Sequence, residues 1–325
     1  KYPPGRWVNR WLNQHYADRI IAVSPATMDN LVESGVSPKR ITVVMNGVAP
    51  LTATTPEEQA ALKKELGIGP DTVVFGILAR IEEYKGNTFT AHIMVIKDPS
   101  RVSLGASYNY NGSNASGFST SNPGIRVNQV MDSYPEITAV INAGAFNDDG
   151  TANATVGSVP AGLTICGGKV VSDQYKDLVP EKGFAGFNTD DVLVVAQSMT
   201  ASQAMEQNIR DGCEFGPVLI INGEVNQGVY SGNSGYNPRT AIGQRQDGAV
   251  IFVCADGRQA GSIGATYKDI IDIMQEYGAY NACNMDGGSS TIMYYRDTAG
   301  TVNRINSYSV LQSEPRRMPD FWMVK

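Results

Sequence analysis

Three segments of the sequence place a polar side chain directly after an apolar run and beside glycine. The polar residues are Asn142, Asp256 and Asp286. A polar group at the end of a buried strand is held rigidly, and a neighbouring glycine lets a substrate approach the backbone. The segment Asp286–Ser290 is the most specific, since its carboxylate, backbone amides and two hydroxyls suit sugar hydroxyls or phosphate oxygens. Taken alone, it is also compatible with a simple Asp-Gly hairpin turn.

A fourth segment, Asn237–Gly243, carries an arginine next to a threonine. The planar guanidinium of Arg239 is suited to bidentate binding of phosphate or carboxylate, and Thr240 can add a hydroxyl. An ordinary surface ion pair is the alternative for an arginine beside a turn proline.

Histidine and cysteine limit the chemistry of the later part of the chain. Both histidines, His15 and His92, precede residue 93. We therefore expect no Ser-His-Asp or Cys-His arrangement beyond that point, and a site made of carboxylates, arginine, amides and hydroxyls. The cysteines lack C-x-x-C spacing, so a structural zinc site is not expected, and buried free thiols are favoured over disulfides. They are Cys166, Cys213, Cys254 and Cys283.

A metal ion has one candidate site in the sequence. The turn Asn147–Gly150 contains Asp148 and Asp149, whose oxygens can bind calcium, but the spacing of an EF-hand is missing. We interpret this segment as a solvated turn and expect neither a metal nor another cofactor.

Composition excludes several classes of protein. The chain has 325 residues, of which 42% are hydrophobic and 18% charged, so it can form a sizeable core and is not disordered. Its 34 glycines and 16 prolines argue against a helical bundle. The sequence has no run of about 18 apolar residues, so we predict no membrane-spanning helix. The net charge of −6 disfavours nucleic acid or an anionic membrane as the main partner.

The charge is unevenly distributed and predicts two domains. Residues 1–86 contain 10 Lys and Arg against 9 Asp and Glu, whereas residues 87–325 contain 16 against 23. The first part alternates strand and helix signals. Strands are predicted at Ile20–Val23, Ile41–Met45 and Val73–Leu78, and helices follow Ser24 and Thr55. Residues 1–86 are therefore predicted to form a small α/β unit.

The first part resembles a known family in three segments, Ala17–Ser24, Ile41–Val48 and Gly76–Gly86. They are similar to the interdomain region of a GT-B retaining glycosyltransferase of the family 4 type. The resemblance implies that Arg80 and Lys85 correspond to residues that hold the donor diphosphate. The acidic catalytic motif of that family and most of its first Rossmann domain are missing. We therefore interpret residues 1–86 as a fused, chimeric fragment without transferase activity.

The second part, residues 87–325, has the pattern of an α+β domain with mixed β-sheets and a few packed helices. Period-two alternation and short apolar runs predict its strands, and capping residues mark its helices. The strands are predicted near residues 88–97, 138–142, 218–221, 249–254 and 281–285, and the helices near 124–134, 200–210 and 266–277.

Five ordered segments of the second part closely resemble the phosphodiester glycosidase family, which includes N-acetylglucosamine-1-phosphodiester α-N-acetylglucosaminidases. The resemblance covers about residues 88–325, with a departure at Ala145, where many relatives have glycine. The segments are Asn142–Phe146, Phe215–Gly223, Asn237–Gly243, Asp256–Gln259 and Asp286–Ser290.

This resemblance implies a hydrolase that cleaves the bond between the anomeric carbon of a sugar and phosphate in a glycosyl-1-phosphodiester. A carboxylate assists at the anomeric carbon, with Asp286 the first candidate and Asp256 the second, and Arg239 stabilises the leaving phosphate. Which aspartate is nucleophile or base stays open. The predicted substrate-binding residues are Asn142, Phe146, Asn237, Thr240, Gly287, Gly288, Ser289 and Ser290.

Two alternatives come from other classes of function. One is a non-catalytic module that binds carbohydrate or phosphate, and the less favoured one is a glycosyltransferase. Convergence of Asp256, Asp286 and Arg239 in one cleft would favour the enzyme, and a wide separation of the three residues would count against it. The expected partner is a sugar phosphate or glycan of exopolysaccharide or cell-envelope metabolism, handled outside the cytoplasm. The oligomeric state stays open.

Overall fold

The computed structural model describes residues 20–22, 32, 37–43, 79–86, 88–110, 116–147, 156–309, 312 and 314–325. Contacts within the chain divide it into two compact units, residues 1–75 and residues 76–325.

The described residues of the first unit include one pair of strands. Strand β1 (Ile20–Ala22) pairs in parallel with β2 (Ile41–Val43), at two of the predicted strand positions. The predicted strand at 73–78 and the helix after Thr55 lie outside the described residues, and of the predicted helix after Ser24 the structure describes Val32, which is helical.

The second unit is rich in antiparallel strands and has short helices. The helices are α1 (Val127–Ser133), α2 (Ala201–Glu206), α3 (Gln227–Tyr230) and α4 (Tyr267–Glu276). The strands are β3 (Ala79–Lys85), β4 (Thr90–Ile96), β5 (Val102–Ala106), β6 (Ala139–Asn142), β7 (Gly162–Cys166), β8 (Lys169–Gln174), β9 (Phe184–Asn188), β10 (Leu193–Ala196), β11 (Ile209–Glu214), β12 (Val218–Ile221), β13 (Glu224–Val225), β14 (Arg239–Arg245), β15 (Val250–Ala255), β16 (Ala279–Met285), β17 (Met293–Arg296), β18 (Val302–Arg304) and β19 (Asp320–Val324).

These strands form three sheets. The first sheet has the order β13-β12-β16-β14-β15-β4-β3, the second β18-β17-β6-β19-β5, and the third β10-β9-β11-β7-β8. Neighbouring strands in all three sheets are antiparallel. Antiparallel sheets with a few packed helices confirm the predicted α+β fold class.

The three sheets share one hydrophobic core, and each has a second core on its other face. Phe252 of β15, Phe187 of β9 and Trp322 of β19 all belong to the shared core. The other faces of the first, second and third sheets pack against α4, α1 and α2, respectively. Burial of both faces explains why strands such as β15 are apolar throughout instead of alternating with polar residues.

The boundary between the two units lies after residue 75, upstream of the boundary expected after residue 86. The reason is β3, which pairs with β4 from Ala79 opposite Ile96 to Lys85 opposite Thr90. The backbones of Arg80 and Lys85 therefore belong to the first sheet. Their side chains lie outside the described part, so the implied diphosphate contacts stay a prediction.

Local sequence signals locate most helix starts but not every helix end. Thr266 and Asp269 form the predicted capping box of α4. The helix predicted near residues 200–210 has its capping box at Thr200 and Gln203, but it ends at Glu206. Asn208 adopts a left-handed backbone conformation with φ 53°, which terminates the helix and turns the chain into β11.

The four cysteines are free thiols, and Cys213, Cys254 and Cys283 are buried. None of the described helices is long and apolar enough to span a membrane.

Trp322 is the largest fully buried side chain of the shared core, and its ring meets that of Phe187 edge to face with 5.7 Å between centroids. We expect Trp322→Ala to lower the free energy of unfolding by about 3–5 kcal/mol, because it leaves a cavity where three sheets meet. Denaturant unfolding measures this loss. Val192→Ala, at a side chain that is 47% exposed, serves as the control and should change stability by about 0.5 kcal/mol or less. Equal effects of the two variants would contradict the assignment of the core.

Candidate functional site

The register of the first sheet brings two predicted aspartates to the same ends of neighbouring strands. Strand β14 lies between β15 and β16, with Arg239 opposite Ala255 and Thr240 opposite Met285. Asp256 and Asp286 directly follow those two flanking strands, so both lie next to the start of β14.

The backbone around Asp286 is fixed by contacts between the first and second sheets. Its N–H donates to the carbonyl oxygen of Ala143 at 3.0 Å, and its carbonyl oxygen accepts from Asn142 Nδ2 at 2.6 Å. One carboxylate oxygen, Oδ1, accepts from the N–H of Gly287 at 2.8 Å. The carboxylate is therefore held in one orientation by the loop that follows it.

Asn142 and Thr240 are joined to each other rather than directed at a substrate. Asn142 Oδ1 accepts from Thr240 Oγ1 at 2.7 Å and from the N–H of Ile292 at 3.1 Å. The two side chains are 1% and 0% exposed. The structure thus places these predicted substrate-binding residues beneath Asp286, where they position it.

Asp286 lines a cavity of about 280 Å³ together with Arg316. The other walls are apolar and include Phe146, Phe215 and Leu178. The Arg316 guanidinium lies over the Phe146 ring at 4.9 Å from its centroid, and its Nη1 is 3.3 Å from Ser290 Oγ. Of the predicted site residues, Asp286 and Phe146 line this cavity. Ser290 is not among its walls, but its hydroxyl contacts Arg316, which is.

Asp256 does not line the cavity. Its Oδ2 lies 3.1 Å from His92 Nε2, and its Oδ1 accepts from the N–H of Ser307 at 2.8 Å. Strands β4 and β15 are adjacent, which brings His92 to Asp256, so an imidazole contacts one of the predicted aspartates although both histidines precede residue 93. Both carboxylate oxygens are engaged, and the residue is 5% exposed.

Arg239 is also turned away from the cavity. Its Nη2 donates to the carbonyl oxygen of Ser234 at 2.9 Å, its Nε donates to that of Ala265 at 3.3 Å, and its guanidinium stacks on Tyr267 at 3.9 Å from the ring centroid. These contacts hold the loop before β14 against α4. Of Asp256, Asp286 and Arg239, Asp286 alone is among the walls of this cavity.

The two glycines after Asp286 have backbone requirements of their own. A Cβ on Gly287 would lie 2.7 Å from the carbonyl oxygen of Pro238, and Gly288 has φ +59°. Their N–H groups donate to Asp286 Oδ1 and to Pro238 O, respectively, so neither amide is left to hold phosphate as the sequence predicted.

Ser289 and Asn237 complete the predicted set. The Ser289 carbonyl oxygen accepts from Gln312 Nε2 at 2.9 Å. Asn237 Oδ1 accepts from Arg258 Nη2 at 3.1 Å. Neither residue is among the cavity walls, and both contribute to the loops around it.

Comparison with known proteins identifies the second unit. A family model described as phosphodiester glycosidase matches residues 135–325, which include the whole cavity lining. The chain belongs to the phosphodiester glycosidase family. A second model, glycosyltransferase family 4, matches residues 1–50. Both matches confirm resemblances found in the sequence.

Solved structures share the fold of this phosphodiester glycosidase. The catalytic domain of zebrafish N-acetylglucosamine-1-phosphodiester α-N-acetylglucosaminidase, auto-inhibited by its pro-peptide, has a TM-score of 0.57 at 18% identity, covering 78% of this chain and 84% of that one. A Synechocystis protein has a TM-score of 0.52 at 16% identity, covering 76% and 61%. A Burkholderia pseudomallei K96243 protein, whose name describes it as exported, has a TM-score of 0.50 at 15% identity, covering 73% and 74%.

One curated relative is similar to a short part of the chain. It is the SPbeta prophage-derived uncharacterized protein YomE of Bacillus subtilis (strain 168), 42% identical over 55 residues. These residues are 17% of this chain and 8% of that protein, so the chain matches only a small fraction of the relative's length.

The structure adds three residues that sequence reasoning missed in this phosphodiester glycosidase: Arg316, Arg258 and Asp320. Arg316 lies 30 positions after Asp286 in sequence and reaches the cavity through the fold. Arg258 belongs to Asp256–Gln259, one of the segments that carry the family resemblance, in which the sequence pattern favours Asp256. Asp320 begins a buried strand, a position where a carboxylate is rare and therefore informative.

Asp320 is a buried carboxyl group that supports the cavity wall. Its Oδ1 accepts from the N–H of Gly144 at 3.0 Å, next to the cavity residues Ala145 and Phe146. Its Oδ2 has no hydrogen-bond partner among the described residues. Burial raises the pKa of Asp320 to about 7; the hydrogen bond from Gly144 acts in the opposite direction, and the Asp286 carboxylate adds to the rise.

A raised pKa makes Asp320 a source of pH-dependent stability. From about pH 4 to about pH 7 the unfolded chain releases this proton while the folded chain retains it, so stability falls as pH rises. We expect Asp320→Asn to remove a decrease on the order of 4 kcal/mol between pH 4 and pH 8. Denaturant unfolding at several pH values measures this change. Asp247→Asn, at an exposed ion pair, is the control. An unchanged pH profile in Asp320→Asn would contradict the assignment.

A metal site is not visible in the described residues, where no group of three His, Cys, Asp or Glu side chains converges. Asp148 and Asp149, the calcium candidates, lie outside the described residues.

Proposed function

We propose that this phosphodiester glycosidase hydrolyses the bond between the anomeric carbon of a sugar and phosphate in a glycosyl-1-phosphodiester such as a GlcNAc-1-phosphodiester. The observation that carries the proposal is that Asp286 and Arg316 both line one cavity. A carboxylate and an arginine are the two groups that this reaction requires, one for the sugar carbon and one for the phosphate.

Asp286 acts on the anomeric carbon. The contacts of its backbone with Ala143 and Asn142 hold the carboxylate rigidly, as a catalytic group requires. The carboxylate either attacks the oxocarbenium-like centre or accepts a proton from the water that attacks it.

Arg316 binds the phosphate, the role that the sequence analysis gave to Arg239. In the reaction the bond between the anomeric carbon and the phosphate oxygen breaks, and the phosphomonoester leaves with the electron pair. The oxygen of water forms the new bond to the carbon, and its proton is released. The leaving group gains negative charge, which a guanidinium in the cavity wall stabilises more in the transition state than in the substrate.

The cavity walls suit one sugar residue. The volume of about 280 Å³ lies just below the range of small-molecule sites, which begins at about 300 Å³. Phe146 and Phe215 provide apolar surface for a sugar face or an N-acetyl methyl group. An apolar wall with one negative and one positive group supports this substrate class.

Asp256 and Arg239 act as positioning residues in this proposal. Asp256 connects His92 to Ser307, and Arg239 ties the loop before β14 to Tyr267. Both residues lie at the same strand ends as Asp286. Their contacts stabilise the surroundings of Asp286, and the two side chains do not bind the substrate.

The site of action is proposed to be outside the cytoplasm, in cell-envelope or exopolysaccharide metabolism. Support comes from the Burkholderia neighbour whose name describes it as exported. Detection of the protein in the extracytoplasmic fraction of its producing cells tests this; confinement to the cytoplasm would contradict it.

Release of GlcNAc from methyl GlcNAc-1-phosphodiester tests the function. We expect turnover by the unmodified chain, a loss of about 10²–10⁴-fold in kcat/KM for Asp286→Asn, and a loss of about 10²–10³-fold for Arg316→Gln. Circular dichroism confirms that each variant is folded. Arg245→Gln, which removes an exposed arginine paired with Asp247, is the matched control and should retain full activity.

The outcomes separate an enzyme from a binding module. Binding of the diester without release of sugar, by folded protein, would reject the hydrolase in favour of the module. Equal rates for Asp286→Asn and the unmodified chain would remove Asp286 from the mechanism. A lower rate for Arg239→Gln than for Arg316→Gln, with both folded, would return the phosphate to Arg239.

A further inference from the structure

A second arginine lies against the loop that follows Asp286. A Cβ built on Gly288 would lie 3.2 Å from Arg258 Nη2, so this guanidinium packs directly on the glycine backbone. Arg316 contacts the same loop two residues later, at Ser290 Oγ. Arg258 is exposed and is not among the cavity walls. The loop therefore has one arginine inside the cavity and one outside it.

The charge of Arg258 is not neutralised by a carboxylate within the described part of the chain. Its guanidinium hydrogen bond goes to the neutral amide of Asn237, with 3.1 Å between Nη2 and Oδ1. Arg126, Arg210 and Arg245, in contrast, each form an ion pair with an aspartate or glutamate. In a region with an excess of acidic residues, an exposed arginine held by an amide is available to an anionic ligand.

The backbone of Arg258 is held in an unfavourable conformation. Its φ of 56° lies in the left-handed region, which a residue with a Cβ rarely adopts. Neighbouring contacts impose it: the N–H of Arg258 donates to Ile263 O at 3.2 Å, and Gln259 and Ser262 exchange two backbone hydrogen bonds. Upstream, Asp256 is fixed by His92 and by the N–H of Ser307. The fold thus maintains strain that directs Arg258 over Gly288.

We propose that Arg258 forms a second anion subsite next to the cavity, so that the preferred substrate carries two phosphates, as in a chain of sugars joined by phosphodiesters. This inference rests on the proposed function: Arg316 binds the phosphate that leaves the sugar in the cavity, and Arg258 binds the next phosphate along the chain. Gly287 and Gly288 permit this, because the loop between the two guanidinium groups has no side chain that would block a passing chain at those positions.

Two probes that differ by one phosphate test the subsite. The first is methyl GlcNAc-1-phosphodiester, and the second is a dimer of two GlcNAc-1-phosphate units joined by a phosphodiester and closed by a methyl phosphodiester. We expect the unmodified chain to prefer the dimer by about 10–100-fold in kcat/KM, the effect of one additional charge-assisted contact. Arg258→Gln should reduce this ratio about 10-fold or more, whereas Arg316→Gln lowers both rates and preserves the ratio.

Binding measured without turnover separates this proposal from the function on which it rests. Calorimetry with Asp286→Asn, alone and combined with Arg258→Gln, should show that loss of Arg258 weakens the dimer about 10-fold more than the monomeric probe. Arg245→Gln in the same background is the matched control. Equal weakening of both probes would place Arg258 on the scissile phosphate, and no weakening would make it a surface arginine; each result overturns the second subsite. Binding that depends on Arg258 with no hydrolysis of either probe would overturn the hydrolase and retain the subsite.

Discussion

The side-chain amide of Asn142 is the contact on which the site depends. It lies at the end of β6 in the second sheet, donates to the carbonyl oxygen of Asp286 beyond the first sheet, and accepts from Thr240 and from Ile292. An amide that satisfies three groups from different segments is costly to replace, because any other side chain leaves buried polar atoms without partners. The backbone of Asp286 is thus positioned by a junction between sheets, while the N–H of Gly287 in the following loop orients its carboxylate.

Arginine shows how far charge and spacing alone can locate a site. The sequence singled out Arg239, because it precedes a threonine and follows a turn proline. The structure buries its guanidinium on Tyr267 and on backbone carbonyls, while Arg316 and Arg258 lie at the loop after Asp286. A guanidinium satisfies carbonyl oxygens as readily as phosphate oxygens, so residue type cannot separate a scaffold arginine from a binding one. Only the contacts of each guanidinium in the structure distinguish the two roles.

Local patterns nevertheless predicted much of the fold. Apolar runs located strands such as β12 and β15 to within a residue or two, and the capping boxes at Thr200 and Thr266 located two helix starts. The predicted Asp286 and Phe146 both line the cavity. What stayed out of reach are contacts between distant segments: His92 meets Asp256 across 164 positions, and Asp320 meets Gly144 across 176. Such pairs depend on which strands become neighbours, and no local pattern encodes that order.

The pairing of β3 with β4 has a structural consequence at the boundary between the transferase-like part of the chain and the glycosidase part. Strand β3 covers the hydrogen-bonding edge of β4, whose residues Ile93, Met94 and Ile96 are buried. A chain that began after residue 86 would present β4 as a bare edge, open to addition of a strand from another molecule. Strand β3, which resembles the end of a transferase fragment, thus protects the edge of the first sheet. A protein shortened to begin after residue 86 would lack this protection and would be prone to self-association.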